Sequence, residues 1–231
     1  MASLYDYASN AVRRMFDSRI DAPAILNSDI YFPAAAQFTA AWQQLQAEAE
    51  AIAANMSRVP RFHEIMAAQA DISANDNRDW RMFILKAYGV DFKKNMKRCP
   101  ELARLVQSNP DVLSASISFL APGKYVPAHR GPFRGILRSY LVLSMPKDTN
   151  GQPAAVLKIA GQEYRLNNGE HLLWDDTYMH EVWNNSNEVR TVLLMDIKRH
   201  GMPTDVTLLS KAIVTIAGLV IKVRGLDKQT L

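Results

Sequence analysis

The stretch from residue 116 to residue 199 constrains the fold more than any other part of the chain. It consists of short apolar runs of strand length that alternate with Gly, Pro, Asn and Asp. Short strands separated by turn residues are typical of an antiparallel sheet that folds back on itself. The sequence therefore predicts a mainly β protein with flanking helices, in which this stretch forms a jelly roll, or double-stranded β-helix.

Two histidines and one arginine in this stretch are candidates for a shared site. His129 ends an early predicted strand and His180 lies near the start of a late one. A jelly roll would bring these two imidazoles together although they are far apart in sequence. Arg190 lies in a strand of Val, Thr and Leu, where a cation must face either water or an anion.

Several spaced motifs carry a resemblance to a known family. They are LAPG at 120–123, HRGPFRGILRSYL at 129–141, NNGEHLLWDDTYMHEVWN at 167–184, RTVLLMDIKR at 190–199 and, more weakly, DWRMFILKAYG at 79–89. With them the chain resembles the aspartyl/asparaginyl β-hydroxylases, a family of iron(II)- and 2-oxoglutarate-dependent dioxygenases, and its lipid A 2-hydroxylase branch. The resemblance implies a cupin-like jelly roll that uses Fe(II), 2-oxoglutarate and O2 to hydroxylate an unactivated C–H bond of an organic substrate.

The resemblance assigns the iron ligands to His129 and His180. Iron(II) accepts neutral imidazole and oxygen ligands, and many such enzymes add a carboxylate two residues after the first histidine. That position is Gly131 in this chain. In lacking a carboxylate at this position the chain resembles the β-hydroxylases, whereas members of the lipid A branch carry Asp there. The iron would therefore be held by the two histidines, with 2-oxoglutarate and water as the other ligands.

The resemblance also implies a binding site for 2-oxoglutarate. Arg190 would bind its far carboxylate, because a guanidinium matches a carboxylate through two charge-assisted hydrogen bonds. Ser118 and Arg138 would add contacts, and so would Tyr140, which stands where the family commonly has His. A phenol can donate one hydrogen bond but does not take up a positive charge near neutral pH. Taken without the resemblance, Arg138 could form a surface salt bridge and Ser118 could lie on a solvated strand face.

Length and composition indicate one domain. The chain has 231 residues, and 48% hydrophobic with 22% charged residues is ordinary for a globular protein. We predict N-terminal helical segments and a first strand that pack on the barrel at 1–110, the jelly-roll catalytic core at 111–200, and an apolar C-terminal helix at 201–231. Asp175 and Asp176 are predicted to serve turn formation and strand-end hydrogen bonding.

Charge and cysteine content suggest partners and location. The formal net charge of +4 suits anionic partners such as membrane headgroups or acidic peptides, but it is too small to indicate nucleic acid. Cys99 is the single cysteine, so an intrachain disulfide is ruled out. The N-terminal residues lack the pattern of an ordinary signal peptide. We expect a cytoplasmic protein, with the inner face of the membrane as an alternative location.

Two segments could contact a membrane. Residues 4–16 show apolar residues at helical spacing, and this short amphipathic helix either caps the barrel or helps to lay the protein on a membrane. Residues 206–225 are largely apolar and, as a helix rising about 1.5 Å per residue, would nearly cross a bilayer. Lys211 makes a true span costly. This helix could instead dock on the barrel or a partner subunit, or lie in the membrane interface.

Four functions stay open from the sequence. The first is hydroxylation of a lipid acyl chain, as in lipid A or an amino-acid lipid, and the second is β-hydroxylation of Asp, Asn or another amino acid. The vacancy at Gly131 could also admit chloride for halogenation, and a non-catalytic jelly-roll binding protein is the fourth. Substrate selectivity is predicted to lie in residues 57–80, 130–135 and 147–153 and in the C-terminal segment. Oligomeric state is undetermined.

Overall fold

The computed structural model describes residues 4–226, so the two ends of the predicted segments at 1–110 and 201–231 lie outside the described residues. In this part of the chain the strands are β1 (Ile25–Leu26), β2 (Trp80–Ala87), β3 (Val90–Asp91), β4 (Val112–Leu120), β5 (Tyr125–His129), β6 (Ile136–Ser144), β7 (Ala155–Ile159), β8 (Gln162–Tyr164), β9 (His171–Trp174), β10 (His180–Asn184) and β11 (Arg190–Lys198). The helices are α1 (Leu4–Asp17), α2 (Ser28–Tyr31), α3 (Ala35–Ala40), α4 (Trp42–Ala53), α5 (Phe62–Ile65), α6 (Ala70–Ser73), α7 (Lys93–Met96), α8 (Pro100–Ser108) and α9 (Thr204–Val223).

The strands form two antiparallel sheets. The large sheet has seven strands in the order β1-β9-β6-β11-β4-β2-β3, and the small sheet has four in the order β5-β10-β7-β8. From β4 to β11 the chain passes back and forth between them, so that β4, β6, β9 and β11 lie in the large sheet. This is the topology of a jelly roll, and the predicted fold class is confirmed.

The N-terminal segment contributes more strands than the single one predicted. β1 pairs with β9 at one edge of the large sheet, and β2 pairs with β4 towards the other edge, followed by β3. These strands widen the sheet on which the candidate site is built. The domain boundaries at residues 110 and 200 stay predictions.

The outer face of the large sheet packs on helices α3, α4 and α8. On β11, Leu193 and Met195 are buried in this helix-covered core. Because successive side chains of a strand point to opposite faces, Arg190 and Val192 point the other way, towards the small sheet; Val192 belongs to a separate buried cluster there. The alternation along β11 thus separates residues that support the fold from residues that line the space between the sheets.

Two helical stretches of the chain are each divided. Residues 93–108 form α7 followed by α8, and Pro100 begins α8. Proline lacks the N–H needed inside a helix but suits its first turn. Residues 35–53 form α3 followed by α4, with Ala41 between them.

The terminal helices α1 and α9 dock side by side on the barrel. Phe16 of α1 packs on Phe133 with ring centroids 5.6 Å apart, in a cluster that also contains Val206 of α9. Ser210 Oγ of α9 donates a hydrogen bond to the Gly135 carbonyl at 3.1 Å. By length and composition α9 could cross a membrane. Only 17% of its apolar window is buried in the protein, so α9 is not a buried core helix. One side of α9 therefore docks on the barrel and the other stays exposed.

Candidate metal and cosubstrate site

Strand pairing brings the two predicted metal ligands together. His129 at the end of β5 and His180 at the start of β10 are register partners in the small sheet. Their ring centroids lie 4.1 Å apart, with the planes tilted by 56°. Residues that are distant in sequence thus become neighbours, as the jelly-roll prediction required.

Both imidazoles are held in the form that binds a metal ion. His129 Nδ1 lies 2.7 Å from the Pro127 carbonyl, and His180 Nδ1 lies 2.9 Å from the Tyr178 carbonyl. Because a carbonyl oxygen only accepts, each Nδ1 carries the proton and each Nε2 keeps a lone pair. Burial lowers the pKa of His129, and burial together with the neighbouring His129 lowers the pKa of His180 well below its ordinary value. Both rings are therefore neutral near pH 7.

Gly131, two residues after His129, has no space for a side chain. A Cβ atom on Gly131 would lie 2.1 Å from Asp176 Oδ1 and 2.3 Å from its Cγ, so a side chain at this position collides with Asp176. Among residues 4–226 there is no group of three or more His, Cys, Asp or Glu side chains arranged to hold a metal ion. The donor set of two neutral imidazoles fits iron(II) that takes its remaining ligands from a cosubstrate and water.

Arg138 lies beside the histidine pair in a network of charges. Its Nη2 donates to Asp176 Oδ2 at 2.9 Å, and its Nε lies 3.0 Å from Asp196 Oδ1 without the alignment of a hydrogen bond. Burial raises the pKa of Asp176 to about 6, against the opposing effect of Arg138. The sequence interpretation missed this pairing of Asp176.

Its neighbour Asp175 does accept turn hydrogen bonds, from both the N–H and the hydroxyl of Thr177.

Arg190 is buried with hydrogen-bond donors to spare. The residue is 3% exposed, and within the described chain neither its Nε nor its Nη1 has a partner. Its guanidinium carbon lies 5.7 Å from the centroid of the Tyr140 ring. A buried cation without an anion is unfavourable. The side chain is therefore suited to a bound carboxylate, such as the far end of 2-oxoglutarate.

Ser118 and Tyr140 face the same space as Arg190. Ser118 is fully buried, pairs in register with Val192, and accepts a hydrogen bond from Trp80 Nε1 at 3.0 Å. Its own O–H can still donate. Burial raises the pKa of Tyr140, so its phenol is a neutral donor. The buried position of Ser118 does not match a solvated strand face, whereas Arg138 does form salt bridges, with Asp176 and Asp196, at 26% side-chain exposure.

Trp174 was not predicted to have a role. It is 3% exposed and meets the His180 ring edge-on, with centroids 4.5 Å apart. Trp174 Nε1 is buried without a hydrogen-bond partner in the described structure. It pairs in register with Arg138 across β9 and β6. A Trp between apolar residues and two Asp is a weak sequence signal, and the strand register was needed to place it beside the histidines.

The histidine pair opens into a cavity of about 420 Å³, which is within the usual range of ligand pockets. Its apolar wall consists of Phe62, Ile65, Met66, Ile72, Trp80, Met82, Ile84, Phe92, Leu194, Ile221 and Leu226. The Phe62 and Trp80 rings stack at 4.0 Å. Arg138 and Asp176 line the wall beside the histidines, and the further polar residues of the wall are Glu64, Gln69, Lys86, Ser114, Ser116 and Asp196.

Three of the four segments predicted to govern substrate selectivity line the cavity, and one does not. Residues of 57–80 and of 130–135 line this cavity, and so do Ile221 and Leu226 of the C-terminal segment. Residues 147–153 do not line this cavity. They form a turn in which Asp148 Oδ1 accepts hydrogen bonds from the N–H groups of Asn150 and Gln152.

Comparisons with known proteins identify the family of the chain. The sequence profile of the Aspartyl/Asparaginyl beta-hydroxylase family matches residues 39–200. An ornithine lipid ester-linked acyl 2-hydroxylase of Rhizobium tropici is 35% identical over 165 residues, which are 71% of this chain and 57% of that protein. Human aspartyl/asparaginyl beta-hydroxylase is 26% identical over 132 residues, which are 55% of this chain and 17% of that protein.

The chain thus spans less than two thirds of the length of these relatives. Among solved structures, a cupin protein from Bacteroides fragilis is similar at 20% identity with a TM-score of 0.31, over 39% of this chain and 69% of that one. The family match covers most of the chain and includes both histidines and Arg190. The chain therefore belongs to the aspartyl/asparaginyl beta-hydroxylase family.

Proposed function

We propose that the chain is an iron(II)- and 2-oxoglutarate-dependent dioxygenase that hydroxylates an acyl chain of a lipid, with O2 as cosubstrate. The observation that carries the lipid substrate is the apolar cavity into which the histidine pair opens. The relative of Rhizobium tropici is by name an acyl 2-hydroxylase of ornithine lipid, which supports the same substrate class.

The residues at the site have distinct roles in this proposal. His129 and His180 would hold the iron through Nε2, and Arg190 would bind the far carboxylate of 2-oxoglutarate with help from Ser118 and Tyr140. When bound, iron would activate O2, which is the oxidant, and 2-oxoglutarate would supply two of its four electrons, so that 2-oxoglutarate, O2 and the C–H bond give succinate, CO2 and C–OH. The protein keeps both imidazoles neutral, and the apolar walls of the cavity exclude water from the bound chain.

The cavity wall suits a hydrocarbon chain. Trp80, Met82 and Ile84 project into it from alternate positions of β2, and Leu194 projects from β11. Burying a methylene group in such a wall contributes about 0.8 kcal/mol. An amino-acid side chain would bury few such groups, whereas an acyl chain would contact more of the apolar wall.

We further propose that α9 lies in the membrane interface, at the inner face of the membrane. Leu208, Ile216 and Leu219 are 60%, 61% and 56% exposed on the side of α9 that faces away from the barrel. Lys211 and Lys222 are exposed as well and can reach anionic headgroups. Ile221 belongs to the cavity wall, so the docked helix would place the opening of the cavity next to lipid.

Acidic substitutions on the exposed side of α9 test the membrane contact. We expect Ile216→Glu with Leu219→Glu to weaken binding to vesicles that contain anionic lipid by about tenfold or more, because two apolar contacts are lost and two charges added. Co-sedimentation with vesicles measures this. Ile30→Glu is the matched control, because Ile30 is 71% exposed on α2, outside α9. Vesicle binding equal to that of the wild type would contradict the interfacial position.

Lipid analysis of producing cells tests the lipid substrate. We expect lipid extracts of cells that make the wild type to contain a species with one additional oxygen, absent from cells that make His180→Ala. Mass spectrometry of intact lipids and of released acyl chains measures it. Unchanged lipids, despite iron- and 2-oxoglutarate-dependent succinate formation by the purified protein, would contradict a lipid substrate and favour an amino acid or peptide.

Hydroxylation of Asp or Asn is the second candidate function. Gly131 in place of a carboxylate and the cations Lys86 and Arg138 in the cavity wall favour it. Halogenation is less well supported, because the Asp176 carboxylate fills the space beside Gly131 that a chloride ion would need. A non-catalytic binding protein is less well supported, because the family that matches residues 39–200 is one of hydroxylases.

A further inference from the structure

A second cavity adjoins the histidine pair. It has a volume of about 240 Å³ and shares Gln69, Ile72, His129 and Pro132 with the wall of the larger cavity. His129 therefore lies at the boundary between two binding spaces. A molecule that occupied both would pass the candidate iron site at the point where the two spaces meet.

The second cavity is polar where the first is apolar. Arg13, Arg130 and Asp71 contribute side chains of both charges to its wall, next to Ser9 and Asn10. Arg13 is fixed there: its Nε donates to the Gly131 carbonyl and its Nη1 to Asn10 Oδ1, both at 3.2 Å. The cavity thus combines two cations and one carboxylate within reach of a single small ligand.

We propose that this polar cavity binds the headgroup of an amphiphilic substrate that carries one anionic group and one amine. The anionic group would pair with Arg13 and Arg130, and the amine with Asp71, while the acyl chain enters the apolar cavity. The proposal rests on the proposed lipid-hydroxylase function. It follows that the oxidised carbon is close to the junction between headgroup and chain, and distant from the methyl end.

The charges of the polar cavity indicate the headgroup. A headgroup with anionic groups alone, such as the phosphorylated disaccharide of lipid A, would leave the Asp71 carboxylate without a cation and beside a like charge. The cavity therefore favours an amino-acid lipid with a free carboxylate and a free amine.

Three soluble probes test this assignment on the chain of 231 residues. They are Nα-acyl lysine, which carries both charged groups; its methyl ester, which lacks the carboxylate; and N-acyl glycine, which lacks the amine. Equilibrium binding is measured by tryptophan fluorescence, without O2 and below micelle-forming concentrations, and oxidation is measured separately by mass spectrometry.

The charge variants have probe-specific expected effects. Arg130→Gln is expected to weaken binding of acyl lysine about tenfold or more and to leave binding of the methyl ester unchanged, because one charge-assisted contact is lost. Asp71→Asn is expected to weaken binding of acyl lysine but not of acyl glycine. Arg14→Gln is the matched control, because Arg14 is exposed on α1 and does not line the cavity. Arg130 and Asp71 are both exposed, so neither substitution should impair folding.

The outcomes separate this proposal from the proposed function. Probe-specific losses in Arg130→Gln and Asp71→Asn, with the new hydroxyl near the acyl carbonyl, support the headgroup site. Equal binding of all probes by wild type, both variants and Arg14→Gln overturns it, even if the lipid is oxidised. A hydroxyl near the methyl end also overturns it. Charge-dependent binding without any oxidation keeps the headgroup site and contradicts the hydroxylase.

Discussion

His180→Ala is expected to lose bound iron and to reduce 2-oxoglutarate-dependent succinate formation by at least about a hundredfold. Loss of even an outer-shell partner of a metal ligand typically costs 10–100-fold in metal affinity or activity. With Gly131 and the crowding Asp176 beside it, the site has no third protein ligand in the described residues to compensate. Removing one of two imidazoles therefore leaves a single histidine.

The fold of His180→Ala should be intact. The His180 side chain makes a local hydrogen bond to the Tyr178 carbonyl, and the pairing of β10 with β5 and β7 depends on the backbone. Iron stoichiometry, circular dichroism and succinate formation measure the three quantities. His200→Gln is the control, because His200 is exposed and pairs with Asp111 on the surface. A folded His180→Ala protein with normal iron content and turnover would contradict the ligand assignment.

Arg190→Met is expected to weaken 2-oxoglutarate binding by about a hundredfold or more and, without ligand, to stabilise the protein. Two charge-assisted hydrogen bonds to a carboxylate contribute about 1.5–3 kcal/mol each. In the ligand-free state the same guanidinium is buried with Nε and Nη1 unpaired. Replacing such a charge with an apolar side chain of similar length is often stabilising, by about 1–4 kcal/mol.

The opposite signs of these two effects identify a ligand-binding residue. A residue that only supports the fold would lose stability on substitution. Isothermal titration with 2-oxoglutarate measures the affinity, and urea unfolding measures the stability. Pyruvate is the control ligand, because it keeps the 2-oxo acid end but lacks the far carboxylate, so its weaker binding should be equal in wild type and Arg190→Met. Unchanged 2-oxoglutarate affinity in Arg190→Met would show that the carboxylate binds elsewhere.

Local sequence patterns were sufficient for the jelly roll and for the main candidate residues. Short apolar runs with turn residues between them predict antiparallel strands, and β4 to β11 follow that pattern. The strand positions of His129, His180 and Arg190 make them candidates for a shared site, whereas their roles towards iron and 2-oxoglutarate are implied by the family resemblance. The structure places the first two side by side and buries the third with unpaired donors.

Other features depend on contacts between residues that are distant along the chain. The division between α7 and α8 is a local effect, because Pro100 begins a new helix. The position of Trp174 against His180, by contrast, is not a local effect. It follows from the register of β9 with β6 and of β10 with β5, and register is set by packing across the two sheets.

The sequence by itself determined the strand pattern, the two histidines and the arginine, because periodicity and polar residues in apolar strands are properties of short segments. Only the tertiary structure decided that Asp176 fills the space beside Gly131, and that His129 lies between an apolar and a polar cavity. Cavities form where side chains of several elements fail to meet, here from β2, α1 and the segments around α5 and α6. Such a gap depends on how these elements pack together, and no single segment of the sequence specifies it.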